Sequence, residues 1–338
     1  MQSSETMYLP VEQLHLRAKS LVTKFKQGGR TSYIDDAIVL DRDALELCPP
    51  GHHKRSASLS QLAIHLSDHY GQVGATRDLD EAIVRVREAL DLFPQGHPDR
   101  SISLNILAVI LSTRYNQLGA IKDLEEATVL GQEALDLCPK GHPNRSVFLN
   151  SLAAHLSTRY NQLVAMKDLD AAIVRVREAL DLRPKGHPNR SASLNNLAVF
   201  LSTRYDKLGA IEDLDVAIVH VRESLDLHPK GHRSKSLNNL AVHLSTRYNR
   251  LGAMKDLDEA VVLVREALEL CPRGHPDRPM SLNNLATNLS ARCNQLGAME
   301  DLNEAIVLVR EALDLRPQGH PYRPFSLDSL AVALSARY

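Results

Sequence analysis

Three kinds of residue recur at fixed spacing in this sequence and could do chemistry. A Gly-His dipeptide begins at positions 51, 96, 141, 186, 231, 274 and 319. Imidazoles such as His97, His142 and His187 would form a metal-binding series if neighbouring copies could share an ion. Equivalent points on adjacent packed helices lie about 8–10 Å apart, whereas zinc holds its nitrogens at about 2 Å. A loop histidine bonding near the end of the preceding helix is therefore expected, and no metal ligand is assigned.

The second kind is a column of arginines, Arg114, Arg159, Arg204, Arg247, Arg292 and Arg337. It could read a carboxylate or phosphate on a partner, but the many nearby aspartates make internal pairing the expectation. The third is a polar strip. Projected at 100° per residue, Asn105, Val109, Ser112 and Asn116 share one flank of a helix. The strip recurs as Asn150, Ala154, Ser157, Asn161; Asn195, Val199, Ser202, Asp206; Asn238, Val242, Ser245, Asn249; and Asn283, Thr287, Ser290, Asn294. An asparagine amide can donate to a peptide carbonyl and accept from its N–H. Such residues can equally bridge neighbouring helices or face water.

The elements that carry these columns follow from a repeat. The Gly-His steps are 45 residues, apart from one of 43 where GHRSKSLNN is two residues shorter than GHPNRSASLNN. A deletion that leaves the flanking patterns intact marks that segment as loop. In one unit Leu104, Leu107, Ala108, Leu111 and Tyr115 fall on one stripe of a 3.6-residue helix. Its start is placed at Asp99 or Ser101, because the residue matching Ser101 is Pro279 or Pro324 in the last two copies and proline is tolerated only in a first turn. A second helix is expected to begin at the Asp of an Asp-x-x-Glu capping box: Asp78 with Glu81, Asp123 with Glu126, Asp256 with Glu259, Asp301 with Glu304. Leu79, Ala82, Ile83, Val86, Ala89 and Leu90 form its apolar face, and Gly96 supplies a left-handed turn beyond Pro94.

Neither helix can bury its stripe alone, so the units must stack. The first copy is degenerate but legible: Leu14, Ala18, Leu21, Phe25 and Gly29 precede Leu59, Ala63, Leu66, Tyr70 and Gly74 by 45 residues, and its second helix runs from about Tyr33 to Leu47. The expected organisation is a disordered stretch at 1–10, then an all-α array over 11–338 of seven helix pairs and a terminal unpaired helix that exposes Leu327, Leu330 and Leu334. That unfinished edge is a candidate for association.

Lys plus Arg number 40 against 41 for Asp plus Glu, with neither sign concentrated. This removes the electrostatic footprint of a nucleic-acid or anionic-lipid binder. No run of about 18 apolar residues occurs, and a soluble, cytoplasmic protein with no membrane partner is expected. Cys48, Cys138 and Cys271 share a column that holds Phe93, Arg183, His228 or Arg316 elsewhere. Free thiols are thus expected rather than a disulfide framework. There is no glycine-rich phosphate loop, HExxH or nucleophile elbow, and every Ser, His and Asp sits in a repeated column. No catalytic residue and no cofactor are assigned.

These residues resemble the tetratricopeptide repeat. In the second unit Leu62, Ala63, Ala82, Val86, Ala89 and Pro94 match the family's pattern of Leu and a small residue, then Ala, an apolar residue, Ala and Pro. The resemblance runs from about residue 11 onward, with two departures: the unit is 45 residues rather than the family's 34, and Leu59, Leu104 and Leu149 take the family's bulky first-helix position. The lengthened form with LNNLA is similar to the kinesin-light-chain-like branch and to fungal arrays that accompany nucleotide-binding or caspase-related effector domains. The resemblance implies a right-handed α-solenoid of stacked antiparallel helix pairs whose concave groove binds a peptide or protein. The groove residues it implies are Asn105, Asn150, Asn195, Asn238, Asn283, Ser112, Ser157, Ser202, Ser245, Asn116, Asn161 and Asn249. The competing expectation is a sensor or regulatory array, or a fragment of a larger multidomain protein, with no catalytic activity of its own.

Overall fold

A computed structural model describes residues 10–26, 30–97, 99–227, 233–275, 277–316, 318 and 322–336. Among the described residues there are fifteen α-helices and no strand. In chain order they are α1 (Val11–Lys26), α2 (Ser32–Glu46), α3 (Arg55–Val73), α4 (Thr76–Asp91), α5 (Arg100–Leu118), α6 (Ile121–Asp136), α7 (Arg145–Leu163) and α8 (Met166–Asp181). Then follow α9 (Arg190–Leu208), α10 (Ile211–Leu227), α11 (Arg233–Leu251), α12 (Met254–Glu269), α13 (Arg278–Leu296), α14 (Met299–Asp314) and α15 (Arg323–Ser335). Gly29, most of the stretch expected to be disordered, His232, His320 and Arg337 lie outside the described residues.

The helices fall into two compact units, Met1–Arg175 and Val176–Tyr338. In the first unit α1 packs on α2, α3 on α4 and α5 on α6; in the second α9 packs on α10, α11 on α12 and α13 on α14. Within each unit a second helix also packs on the first helix that follows it, as α4 does on α5 and α12 on α13, and successive first helices touch, as α3 with α5 and α11 with α13. The first helices α3, α5, α11 and α13 are therefore each covered on three sides. Leu104, Leu107, Ala108 and Leu111 are buried, as are Leu79, Ala82, Ile83, Val86, Ala89 and Leu90 on α4. In the degenerate first copy Leu14, Ala18 and Phe25 are buried and Leu21 is half-buried.

The two-residue turn inside each pair needs one left-handed residue. Gly119 adopts φ 68° and its N–H donates to Tyr115 O at 2.7 Å; Gly74, Gly209, Gly252 and Gly297 do the same. Val164 stands at this place in α7's turn with φ 54°. Where one pair gives way to the next, Gly96 turns at φ 83°, as expected. The loop histidines act locally: the Nδ1 of His97 accepts the N–H of Asp99 at 3.2 Å, and His52, His142, His187 and His275 each accept an N–H two residues on. That bond orders the approach to the first helix, which begins at Arg100 behind Asp99.

The second helices start earlier than the capping-box expectation. Helix α4 begins at Thr76, α6 at Ile121, α12 at Met254 and α14 at Met299, each two residues before its aspartate, with an alanine at the cap and no side-chain cap bond. The aspartate carboxylate is engaged by the preceding first helix instead. The glutamate three residues later pairs sideways with an arginine of the previous second helix, as in Arg87–Glu126 at 3.1 Å and Arg265–Glu304 at 2.8 Å. His69 holds Asp78, and guanidinium groups hold Asp123, Asp256 and Asp301 with two-point charge-assisted bonds.

The terminal helix α15 differs from the expectation in part. Leu327 is exposed, but Leu330 and Leu334 are half-buried against Cys293, Leu302, Ile306 and Ala333. All four cysteines are buried and free, as expected.

A β-branched residue at positive φ carries strain of about 1–2 kcal/mol, whereas glycine does not. Val164→Gly is expected to raise stability by about 1 kcal/mol after the entropy glycine regains in the unfolded chain. Urea or thermal unfolding followed by circular dichroism reads this, and Gly119→Val should show the opposite sign.

Candidate functional site

The arginine column is built into the fold. Arg114 Nε and Nη2 donate to the two oxygens of Asp123 at 2.7 and 2.8 Å, and Nη1 donates to Asp80 at 2.9 Å. Arg159 grips Asp168, Arg204 grips Asp213, Arg247 grips Asp256 and Arg292 grips Asp301 in the same two-point manner at 2.7–2.9 Å. The arginine sits near the C-terminal end of the first helix and the aspartate in the first turn of the second, nine residues on. Each clamp thus ties the two helices of one pair together. Hydrogen bonds from the guanidinium hold the Asp168 and Asp301 carboxyls below their usual range against the opposing cost of burial. This is the internal pairing expected for the column, and among the described residues it leaves no free row of these guanidinium groups to read a phosphate.

A further arginine column was missed. Arg100 Nη1 donates to Leu90 O and Phe93 O at 2.9 and 3.3 Å, closing the end of the preceding second helix. Arg190 and Arg278 do the same work and also reach Glu223 and Glu311 on the following second helix at 2.8 Å. The signal was present in the sequence as GHPxR, with Arg after every loop histidine. Helix-dipole chemistry makes an arginine there favourable.

The polar strip divides into buried and open members. In the second unit the Asn195 Nδ2 donates to Ser191 O, Ser224 Oγ and Ser236 Oγ at 3.0, 2.7 and 2.9 Å. Asn238 reaches Ser281 Oγ at 2.8 Å and Asn283 reaches Ser326 Oγ at 2.9 Å. Asn238 and Asn283 are only 1% exposed. This corrects their expected place on an open groove: their amides join one first helix to the next. In the first unit Asn105 and Asn150 are half-buried, and Asn150 donates to Ser146 O at 2.8 Å. Ser112, Ser157 and Ser202 are buried, and Ser245 is half-buried with its hydroxyl 2.8 Å from Ala241 O and 2.5 Å from Asn288 Oδ1. Asn116, Asn161 and Asn249 are exposed.

The open flank keeps Val242, Asn249 and Thr287 of the expected strip and adds Thr246 and Asn284, while Asn238 and Asn283 are taken into the packing. In α13 the opened positions are Asn284 and Thr287, and in α11 Val242, Thr246 and Asn249. With Ser245, Asn288 and Phe325 these line a cavity of about 230 Å³ in the second unit. Its lining holds no ionisable side chain. Asn284 Nδ2 donates to Asn238 Oδ1 at 3.0 Å, which fixes its orientation. Asn196 and Asn239 precede it in the same column and were missed because the sequence projection centred the polar flank one position earlier. In the first unit Val109, Asn116, Ala154 and Asn161 occupy the corresponding open edge.

Behind that edge lies a column of mixed chemistry, His65, Ile110, His155, Phe200, His243 and Asn288. His65 Nδ1 lies 2.5 Å from Asp41 Oδ2, both buried. His155 and His243 are 3% exposed, with both ring nitrogens buried and without a hydrogen-bond partner. Burial pushes each imidazole down to about 4. Among the described residues no group of three or more His, Cys, Asp or Glu could hold a metal ion. No described helix is long and apolar enough to cross a membrane.

Fold and open edge together define a class, an all-α array of repeated antiparallel helix pairs with a neutral, partly apolar edge at α11, α13 and α15. The chain is a tetratricopeptide-like repeat protein. Residues 234–277 match the tetratricopeptide repeat family model. A tetratricopeptide repeat protein from Parabacteroides merdae is similar over 96% of this chain and 98% of its own, with 14% identity and a TM-score of 0.56. The APC/C hetero-tetramer Cut9–Hcn1 is similar over 89% of this chain at 14% identity and a TM-score of 0.55. Yeast Tom70 is similar over 100% of this chain and 67% of its own, with 18% identity and a TM-score of 0.53. The chain spans about half the length, 52%, of the Cut9–Hcn1 chain it matches. At these identities the likeness establishes the fold. No curated protein matches the sequence.

Two expected outcomes follow from this geometry. Arg159→Ala removes both bonds to a carboxylate that is only 5% exposed and should cost about 2 kcal/mol in urea unfolding; Arg159→Lys, which keeps charge but loses the fork, should recover only part of it. For His155 and His243 the folded pKa of about 4 lies below the ordinary 6.5. The unfolded chain then binds more protons across that window, so stability is complete above about pH 6.5 and falls toward pH 4. The loss is about 3 kcal/mol per histidine at roughly 1.4 kcal/mol per pH unit. His155→Ile, the residue at Ile110, should flatten the pH dependence of the urea midpoint.

Proposed function

We propose that the chain is a protein-interaction scaffold that holds an extended segment of a partner along the open edge of its first helices. The observation that carries this reading is the cavity of about 230 Å³ between α11, α13 and α15, polar yet free of ionisable side chains. Asn249, Asn284 and Thr287 offer donors and acceptors for a peptide backbone, while Val242 and the Phe325 ring, 43% and 53% exposed, offer apolar contact. A neutral lining favours uncharged side chains, because a charge desolvated there would find no counter-ion. The half-buried Asn195 and the buried Asn238 and Asn283 serve the same site indirectly, since their bonds between first helices fix the width of the edge. In the first unit Asn116 and Asn161 play the contacting role and Ser112 and Ser157 stay in the packing. Neighbouring tetratricopeptide-type structures carry the fold on which such scaffolding is common, and cytoplasmic residence is part of the same proposal.

Peptides selected from a random display library on the purified chain test this reading. Asn249→Ala, Thr287→Ala and Phe325→Ala, all at exposed positions, combined should weaken a selected peptide at least about tenfold, with helicity and melting unchanged. Selected peptides that bind the triple variant as tightly as the parent chain would sink the assignment of this edge.

A further inference from the structure

Three residues that break their repeated columns meet at the cavity between α11, α13 and α15. Thr287 stands in a column that elsewhere holds Ile64, Val109, Ala154, Val199 and Val242. Asn288 stands in the column of His65, Ile110, His155, Phe200 and His243. Phe325 brings an aromatic ring to a column of Ala57, Ile102, Val147, Ala192, Lys235 and Met280. Duplication copies columns; it does not gather departures from three of them around one space.

The lining changes character with depth. Val242 and Phe325 are exposed, whereas Asn288 is only 4% exposed and is the buried part of the wall. Thr246 and Thr287 give their hydroxyl protons to Val242 O and Asn283 O at 2.9 and 3.0 Å, and Asn284 gives an amide N–H to Asn238 Oδ1. Asn288 is differently committed. One end of its carboxamide lies 2.5 Å from Ser245 Oγ, which is also 2.8 Å from Ala241 O. A hydroxyl has one proton to give. If Ala241 O takes it, the Asn288 NH2 must turn to Ser245 and the amide oxygen is left to the cavity; if Asn288 takes it, the NH2 is left there. Either way the remaining end of the amide has no protein partner among the described residues, and a polar group at that depth is costly to leave unmet.

We propose that the cavity is a tyrosine pocket, in which the ring of one tyrosine of the partner segment lies against Phe325 and Val242 and its hydroxyl meets the free end of the Asn288 amide. This rests on the reading of the edge as the face that holds a partner. A hydroxyl both donates and accepts, so it satisfies whichever end of the amide faces it, and tyrosine joins that group to an apolar ring. A volume of about 230 Å³ is room for one side chain, below the roughly 300 Å³ at which small-molecule sites begin. Charge points the same way. The lining holds no ionisable side chain, and a phenol, with a pKa of about 10, enters uncharged. A phosphorylated tyrosine, at about −1.5 to −2, would be desolvated against a wall without a cation and is excluded.

Isotope-edited NMR of the full chain at neutral pH tests it, with N-acetyl-tyrosinamide, N-acetyl-phenylalaninamide and the O-phosphorylated tyrosine derivative as probes. The signals followed are the Asn288 side-chain amide and the backbone amides of Thr246 and Thr287. The expected result is a saturable shift with the tyrosine probe, on the order of millimolar, about tenfold weaker with the phenylalanine probe and absent with the phosphorylated one. Asn288→Ile, which installs the side chain of Ile110 and should fold, should bring the tyrosine probe to the level of the phenylalanine probe. Phe325→Ala should weaken both. No saturable shift, equal binding of the phenylalanine or phosphorylated probe, or undiminished tyrosine binding to Asn288→Ile overturns the proposal. Library-selected peptides separate it from the wider reading. If they depend on Asn249, Thr287 and Phe325 while the tyrosine probe does not bind, the edge stands and the pocket falls; a bound tyrosine probe beside peptides indifferent to those residues keeps the pocket and removes the edge.

Discussion

Every first helix away from the ends of its unit is enclosed by its own second helix, by the second helix before it and by the first helices beside it, and the remaining structure is arranged around that enclosure. Leucine and alanine fill the shared interior because small and branched aliphatic side chains allow helices to approach closely on several sides at once. Polar groups that fall inside the enclosed arc mostly find partners there, the His155 and His243 rings excepted. The Asn195, Asn238 and Asn283 amides do so on serines of the neighbouring first helix. What faces outward is a narrow edge, and that edge is where a partner can be met.

Polar order in the fold comes from long charged side chains used at helix ends. The Arg114-type clamp joins the two helices of a pair, the Arg100-type residue closes the preceding helix and, in several copies, reaches the following one, and the Arg87–Glu126 type runs along the second helices. Because the clamp aspartates are mostly buried while their arginines reach the surface, the clamps resist screening better than the outer pairs do. The same arrangement explains why aspartates that look like caps in the sequence do not cap: a guanidinium two-point bond claims the oxygens first.

Departures from repetition mark where the chain does something different. His69 stands in the arginine column and meets Asp78 and Asp35 with its two ring nitrogens, beside a cavity. Asn288 in a column of His, Ile and Phe makes a polar floor for the open edge of the second unit. His155 and His243 sit in the interior without partners and make the fold sensitive to acid. Val164 replaces a glycine and keeps its strained backbone.

The sequence alone determined the all-helical class, the 45-residue unit, the alternation of two helices and the turn glycines, because periodicity and backbone stereochemistry are local properties. It also pointed to internal pairing of the Arg114 column with nearby aspartates or a helix C-terminus, and the structure chose the aspartate nine residues on. The tertiary structure decided which polar residues are open. The difference between Asn238, buried, and Asn249, exposed, or between the Asn283 and Asn284 columns, is one of helix rotation against neighbours. That rotation is set by packing between units far apart in the chain, and a single helical projection carries no information about it. The cap positions were likewise settled by competition between a local N–H and a guanidinium from another helix. Asp35 and Asp78, 43 residues apart in sequence, meet at His69 only because the first two pairs stack.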